Sequence, residues 1–145
     1  MLKNLILVLF AQLFIGQINL AQNRDCSNVL SYENNNQIEP ELLVLSSVSG
    51  VVEDAQGVNI PDVRLGVFTE VSKKIIAQTR SDEGGKFGFS MVPAGKYRLI
   101  AKYKPFCTAN IPIKIVKNKN KMKKRKIVVH MESSRIDTCS YGDYK

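Results

Sequence analysis

Apolar and polar residues alternate in seven short runs between residues 46 and 132, and turn-forming residues separate the runs. The clearest run is KYRLIAKYK, residues 96–104, in which almost every second residue is apolar and the others are cationic. A period of two directs one set of side chains to a core and the other to water, which is typical of a β-strand. The predicted strands are residues 47–54, 63–69, 73–80, 86–90, 96–104, 109–116 and 125–132.

Strands of this length, separated by turns and with no sustained helical period, predict an all-β fold of two packed antiparallel sheets. Pro112 cannot donate a ladder hydrogen bond, so strand 109–116 is expected at an edge or with the proline on its free side. Strands 109–116 and 125–132 are expected to pair as a hairpin. Residues 22–45 are polar and asparagine-rich, which predicts a loosely ordered leader with a short strand at 42–45.

The first residues have the features of a secretory signal peptide. Lys3 precedes an apolar run at residues 5–15 that only Gln12 interrupts, and Ala21 offers a small residue for cleavage. The run is too short to be a good membrane span, and a retained N-terminal anchor is the alternative. We therefore predict a secreted or periplasmic protein. Its parts are a signal peptide (1–21), a polar leader (22–45), a β-sandwich (46–132) and a C-terminal tail (133–145).

Two stretches, residues 49–62 and 81–99, carry an ordered series of motifs. The first reads G-x-V-x-D-x-x-G followed by a proline. The second reads D-x-x-G-x-F-x-F and then V-P-x-G-x-Y-x-L. The series resembles the carboxypeptidase regulatory-like domain family over about residues 47–132, although Ser81 stands where the family often has threonine. The matching residues are Gly50, Val52, Asp54, Gly57, Pro61, Asp82, Gly85, Phe87, Phe89, Val92, Pro93, Gly95, Tyr97 and Leu99.

The resemblance implies a transthyretin-like (prealbumin-like) Greek-key sandwich of about seven strands. It says less about function, because this module is an accessory in many envelope and secreted proteins. The peptidases that give the family its name need a zinc site, and the related purine-pathway hydrolases need several histidines. This chain has one histidine, His130. Neither activity is expected here.

The glycine-rich stretch 81–99 has two competing interpretations. A phosphate-binding loop leads from a strand into a helix N-terminus, whereas Lys86 here is followed by a strand. A tight hairpin at residues 82–85 and a second turn at Pro93 and Gly95 are predicted instead. Asp82 and Glu83 are too few ligands for calcium. His130 lies out of phase with the apolar residues of its strand and is expected to face outward. We predict no catalytic residue, no metal site and no cofactor.

Positive charge is concentrated in one segment. The chain has 21 Lys and Arg against 13 Asp and Glu. Seven of these cations lie in KNKNKMKKRK, residues 117–126, and that segment has no acid. It is a candidate patch for weak contact with an anionic polymer or a membrane surface, or else a solvated loop. It lacks aromatic residues for base stacking, so no specific nucleic acid is expected. The cations are Lys117, Lys119, Lys121, Lys123, Lys124, Arg125 and Lys126.

The three cysteines are Cys26, Cys107 and Cys139. Disulfides persist in exported proteins, and three cysteines cannot all pair within one chain. If strands 109–116 and 125–132 pair, Cys107 comes close to the start of the tail that carries Cys139. A Cys107–Cys139 disulfide is therefore predicted, with Cys26–Cys139 as the main alternative.

These observations predict an exported, non-catalytic module with a structural or binding role in the cell envelope or outside the cell. Its partner would be an unknown protein or glycan. Carbohydrate binding usually needs exposed aromatic residues, and the chain has no Trp. Tyr103, Phe106, Tyr141 and Tyr144 could cluster if Cys139 docks the tail, but core packing is expected of Tyr103 and disorder of Tyr144. The alternative is an accessory module that acts in trans with a secreted peptidase or another envelope enzyme.

Overall fold

The computed structural model describes residues 30–32, 40–117, 125–133 and 140–144. The predicted signal peptide, Cys26, Cys139 and residues 118–124 of the basic segment lie outside these ranges. None of the described segments forms a helix that could cross a membrane. The strands are β1 Leu43–Leu45, β2 Ser49–Asp54, β3 Arg64–Thr69, β4 Ile75–Arg80, β5 Lys86–Gly88, β6 Gly95–Lys102, β7 Ala109–Ile115, β8 Ile127–Met131 and β9 Tyr141–Tyr144.

These strands form a sandwich of two sheets. The five-stranded sheet has the order β1-β7-β6-β3-β4 and the four-stranded sheet the order β5-β2-β8-β9. The predicted β-sandwich is confirmed, and each of the seven predicted strands is present. Two details of the prediction were wrong. The described residues form nine strands, of which β1 corresponds to the short strand predicted at 42–45 and β9 was not predicted. β1 also pairs with β7, and β2 with β8, in parallel. Alternation along one strand carries no information about the direction of its neighbour.

The core lies between the sheets because each strand directs one set of side chains inward. In β3, Leu65 and Val67 face the core and are fully buried. In β6, Leu99 does the same. Complete burial of such a side chain contributes about 1.5–3 kcal/mol to folding, so these alternating positions are the main source of stability.

Strands β7 and β8 do not form the predicted hairpin, because they lie in different sheets. Each strand buries one face against the same core, and the sequence period cannot distinguish one sheet from the other. β7 is also not an edge strand, since it lies between β1 and β6. Its pairing with β1 begins at Ile113, immediately after Pro112, so the proline precedes that ladder.

Successive connections alternate between the two ends of the sandwich. The β1–β2, β3–β4, β5–β6 and β7–β8 connections leave one end, which we call the basic end. The β2–β3, β4–β5, β6–β7 and β8–β9 connections leave the other, which we call the turn end. Lys117, which follows β7, and Lys126, which precedes β8, therefore lie at the basic end.

Two parts of the predicted loose leader belong to the fold. β1 forms one edge of the five-stranded sheet. Residues 30–32 pack on the outer face of this sheet, against β3. There the ring of Tyr32 meets Phe68 edge-on, with 6.2 Å between ring centroids. The Nζ of Lys73 donates a hydrogen bond of 2.7 Å to the Tyr32 hydroxyl. This packing contributes to the burial of Phe68, which faces away from the main core.

Candidate functional site

The glycine-rich stretch forms a tight turn at residues 82–85 but not the predicted hairpin, because β4 and β5 lie in different sheets. A second turn, at residues 54–58, repeats its hydrogen bonds. Oδ1 of Asp82 accepts hydrogen bonds from the backbone N–H groups of Gly84 and Lys86. Gly85 has a φ of 71° and donates its N–H to the Asp82 carbonyl. At the same end, Asp54 accepts in the same way from residues 56 and 58, and Gly57 has a φ of 77°.

Both aspartates of these D-x-x-G motifs therefore support the backbone. Positive φ is easily reached only by glycine, which explains the fourth residue of each motif. Oδ1 of Asp82 already accepts two N–H groups. Within the described ranges, no three His, Cys, Asp or Glu side chains are grouped so that they could hold a metal ion.

His130 faces outward, as its position in the strand predicted. It lies in β8 on the outer surface of the four-stranded sheet, directly between a residue of β2 and a residue of β9. The strand register pairs it with Glu53 on one side and Tyr141 on the other. These three side chains cross the sheet as one row, which we call the Glu53–His130–Tyr141 row.

The row is held by close contacts. Nδ1 of His130 lies 3.6 Å from Oε1 of Glu53, and both side chains are largely buried, with 22% and 18% exposure. The imidazole stacks on the ring of Tyr141 with 4.6 Å between centroids and 24° between planes. Tyr141 itself remains 46% exposed. The row thus presents an aromatic ring to solvent beside a carboxylate and an imidazole.

Such a row suits binding better than catalysis. An aromatic ring packs against an apolar surface, while a carboxylate and an imidazole nitrogen bind hydroxyl or amide groups. The row lies on the solvent-facing side of a sheet, whereas catalytic sites are usually concave and exclude water.

The four aromatic residues do not form one cluster. Tyr103 packs against the core, as expected, whereas Tyr144 is ordered in β9, so the expected disorder of Tyr144 was wrong. Tyr103 and Phe106 stack with their centroids 6.2 Å apart. Tyr141 stacks on His130 instead. Tyr144 lies in β9, where its hydroxyl accepts a 2.6 Å hydrogen bond from the Val44 N–H and its ring packs against the core. The β-strand geometry of the tail sends Tyr141 and Tyr144 to opposite faces.

The tail docks beside Cys107. The Cys107 N–H donates to the Glu132 carbonyl at 2.8 Å. The Ser140 hydroxyl donates to the Cys107 carbonyl at 2.7 Å and accepts from the Glu132 N–H at 2.9 Å. Cys139, the predicted disulfide partner, lies outside the described residues, so the Cys107–Cys139 disulfide stays a prediction.

Three of the seven cations in the candidate anionic-ligand patch are described. Lys117, Arg125 and Lys126 are exposed at the basic end, and the Arg125 guanidinium lies over the Tyr144 ring, 4.8 Å from its centroid. Lys119, Lys121, Lys123 and Lys124 lie outside the described residues.

An open groove of about 460 Å³ lies on the outer face of the five-stranded sheet. The sequence did not predict this groove. Its walls come from the leader and from strands β3 and β4, and only the folded arrangement brings these segments together. Its polar lining includes Arg64 and Arg80, which are paired across β3 and β4. The lining residues are Leu30, Arg64, Ile75, Gln78, Thr79 and Arg80.

The family resemblance can now be tested against known proteins. Residues 47–126, more than half of the chain, match the carboxypeptidase regulatory-like domain family. The chain belongs to this family. The match confirms the resemblance that the motifs indicated, and the family is one of regulatory-like rather than catalytic domains. No curated protein matches the chain.

Two solved structures resemble this carboxypeptidase regulatory-like domain. Sea bream transthyretin, in complex with thyroxine, is 17% identical and has a TM-score of 0.48; the similarity covers 68% of this chain and 96% of transthyretin. The 3-chlorocatechol 1,2-dioxygenase of Rhodococcus opacus 1CP is 14% identical with a TM-score of 0.39, covering 80% of this chain and 71% of the dioxygenase. The family match and the order of the strands carry the fold assignment.

Proposed function

We propose that this carboxypeptidase regulatory-like domain is an exported, non-catalytic binding module of the cell envelope or the cell exterior. The family match supports a regulatory-like module. The N-terminal pattern of Lys3, an apolar run and Ala21 supports export. The observation that carries a binding role is the Glu53–His130–Tyr141 row.

The chemistry of the row favours a glycan as the partner. Sugar rings have an apolar face that packs on an aromatic ring, and their hydroxyls accept and donate hydrogen bonds. Tyr141 offers the ring, and Glu53 and His130 offer the polar groups beside it. The contact of His130 with both neighbours also holds the ring in place before the ligand arrives, which lowers the entropic cost of binding.

The proposal is tested by measuring binding to a panel of envelope and extracellular polysaccharides. We expect Tyr141→Ala to weaken glycan binding about tenfold or more, which corresponds to about 1.4 kcal/mol. Tyr141→Phe keeps the ring and should retain most of the affinity. Val71→Ala is the matched control, because Val71 is also exposed but lies at the basic end, away from the row.

Two results would change the proposal. If the chain binds no glycan but retains a protein from envelope extract in a Tyr141-dependent manner, the partner is a protein. If that protein is a peptidase whose activity the chain alters, the accessory role in trans is correct instead. Binding that is the same in Tyr141→Ala as in the unsubstituted chain would reject the row as the binding surface.

A further inference from the structure

Two large apolar side chains project from the basic end. Val71 is 96% exposed and Met91 is 88% exposed, more than any other large apolar residue of the described chain. Val71 lies in the tight β3–β4 turn and Met91 in the β5–β6 loop. The register pairs Thr69, at the end of β3, with Tyr97, near the start of β6. The two loops therefore leave the sandwich side by side.

Exposed cations lie at the same end of the sandwich as these two tips. Lys96 and Lys114 lie directly opposite each other on β6 and β7, near the basic end of both strands. Like charges in that arrangement destabilise a sheet, so their presence favours an anionic partner there. Lys117 follows β7, and Lys126 directly precedes β8. Each of these four lysines is exposed.

The acids of the described connections lie mainly at the turn end. They are Asp62, Asp82, Glu83 and Glu132. At the basic end, Glu70 is the acid of the β3–β4 turn, and its carboxylate lies 3.6 Å from Nε of Arg98. The turn end mixes these acids with cations such as Lys86 and Lys104, whereas the basic end combines net positive charge with apolar tips.

We propose that the basic end docks on an anionic lipid membrane. In this arrangement Val71 and Met91 enter the boundary between headgroups and acyl chains, and the lysines contact lipid phosphates. Membrane-surface binding requires this combination, because buried apolar area and attraction to anionic lipid add together. An acidic protein would attract the cations but gives no reason for two separate projecting apolar tips. The proposal goes beyond the glycan-binding row, which lies on a different surface.

The absence of tryptophan makes a sharp test possible. Val71→Trp and Met91→Trp each introduce a single tryptophan at a tip, and Val58→Trp introduces one at the turn end as the matched control. Each variant is prepared from residue 22 onward, because the apolar run of the predicted signal peptide would itself insert into lipid. The vesicles contain phosphatidylcholine alone or phosphatidylcholine with phosphatidylglycerol.

We expect the fluorescence of both tip tryptophans to shift to shorter wavelength with phosphatidylglycerol vesicles and to stay unchanged with phosphatidylcholine alone. The Val58→Trp emission should not move with either. No shift at the two tips, or an equal shift in the control, would overturn the proposal.

Co-sedimentation of the tryptophan-free chain with the same vesicles gives the second measurement. Replacing Lys117 and Lys126 with serine should weaken binding about fivefold per lysine. Replacing Lys86 and Lys104, at the turn end, should leave it unchanged. Val71→Ser with Met91→Ser should also weaken binding. If these two serines have no effect, attraction to the surface is purely electrostatic and insertion of the tips is wrong. A chain that fails to sediment with anionic vesicles but binds an acidic protein would also refute the proposal.

Discussion

Gly50, the first residue of the family motif, lies where two backbones approach closely. It is in β2, paired with Ile127 of β8. A Cβ atom at this position would lie 1.9 Å from the Ile127 carbonyl oxygen, far inside contact distance. The motif therefore requires glycine here for space, whereas Gly57 and Gly85 are required for their positive φ. One family signature thus combines two different physical constraints.

We expect Gly50→Ala to lower the free energy of unfolding by about 2 kcal/mol or more, because the added methyl group must push β2 away from β8. The measurement is chemical denaturation of the purified domain. Gly88→Ala is the control in the neighbouring strand β5, where the new Cβ would meet Ser49 at an ordinary 3.9 Å. A loss for Gly50→Ala no larger than that of Gly88→Ala would show that the two strands separate easily.

At the scale of whole strands, the sequence indicated which side chains face the core but not which strands are hydrogen-bonded to each other. In each of the seven predicted strands, apolar residues recur at every second position. This alternation would be the same whichever strand lay beside it. The sequence of β9, YGDY, has no alternation of apolar and polar residues. Its position depends instead on a hydrogen bond between Tyr144 and Val44 of the other sheet, which the sequence does not reveal. The outward position of His130 was predictable from its own strand. Its neighbours Glu53 and Tyr141 were not, because the register between distant strands brings them together.

The contact of the tail with the β6–β7 connection leads to a prediction about the cysteines. Ser140 binds the Cys107 carbonyl, and Cys139 is the preceding residue. We expect a Cys107–Cys139 disulfide in the exported protein, and peptide mapping without reductant should recover it. Closing a loop of about 33 residues contributes about 3–4 kcal/mol in the chain-entropy model, so Cys139→Ser should destabilise the domain by that order.

Cys26→Ser distinguishes the two candidate pairings. It leaves the Cys107–Cys139 bridge intact and should not change the unfolding transition. If Cys26→Ser destabilises the domain as much as Cys139→Ser does, then Cys26–Cys139 is the native pair. A recovered Cys26–Cys107 peptide would contradict both pairings.

At the scale of the whole molecule, the proposed binding role outside the cytoplasm requires export. We expect the exported protein to begin at Gln22, because Ala21 is the small residue that signal peptidase would recognise. Mass spectrometry of the N-terminal peptide from the cell envelope and the medium measures this. A protein that still carries residues 1–21 at its N-terminus would favour the retained anchor.

The parallel pairing of β2 with β8 has a consequence for how the chain assembles as it is synthesised. The five-stranded sheet is complete once Ile115 has emerged, because β7 is its last strand to be made. The four-stranded sheet then consists only of β2 and the three-residue β5. Until β8 and β9 emerge, one side of the growing core stays open to water. A nascent chain therefore exposes its inner apolar face to chaperones or to export machinery until residue 144 is available.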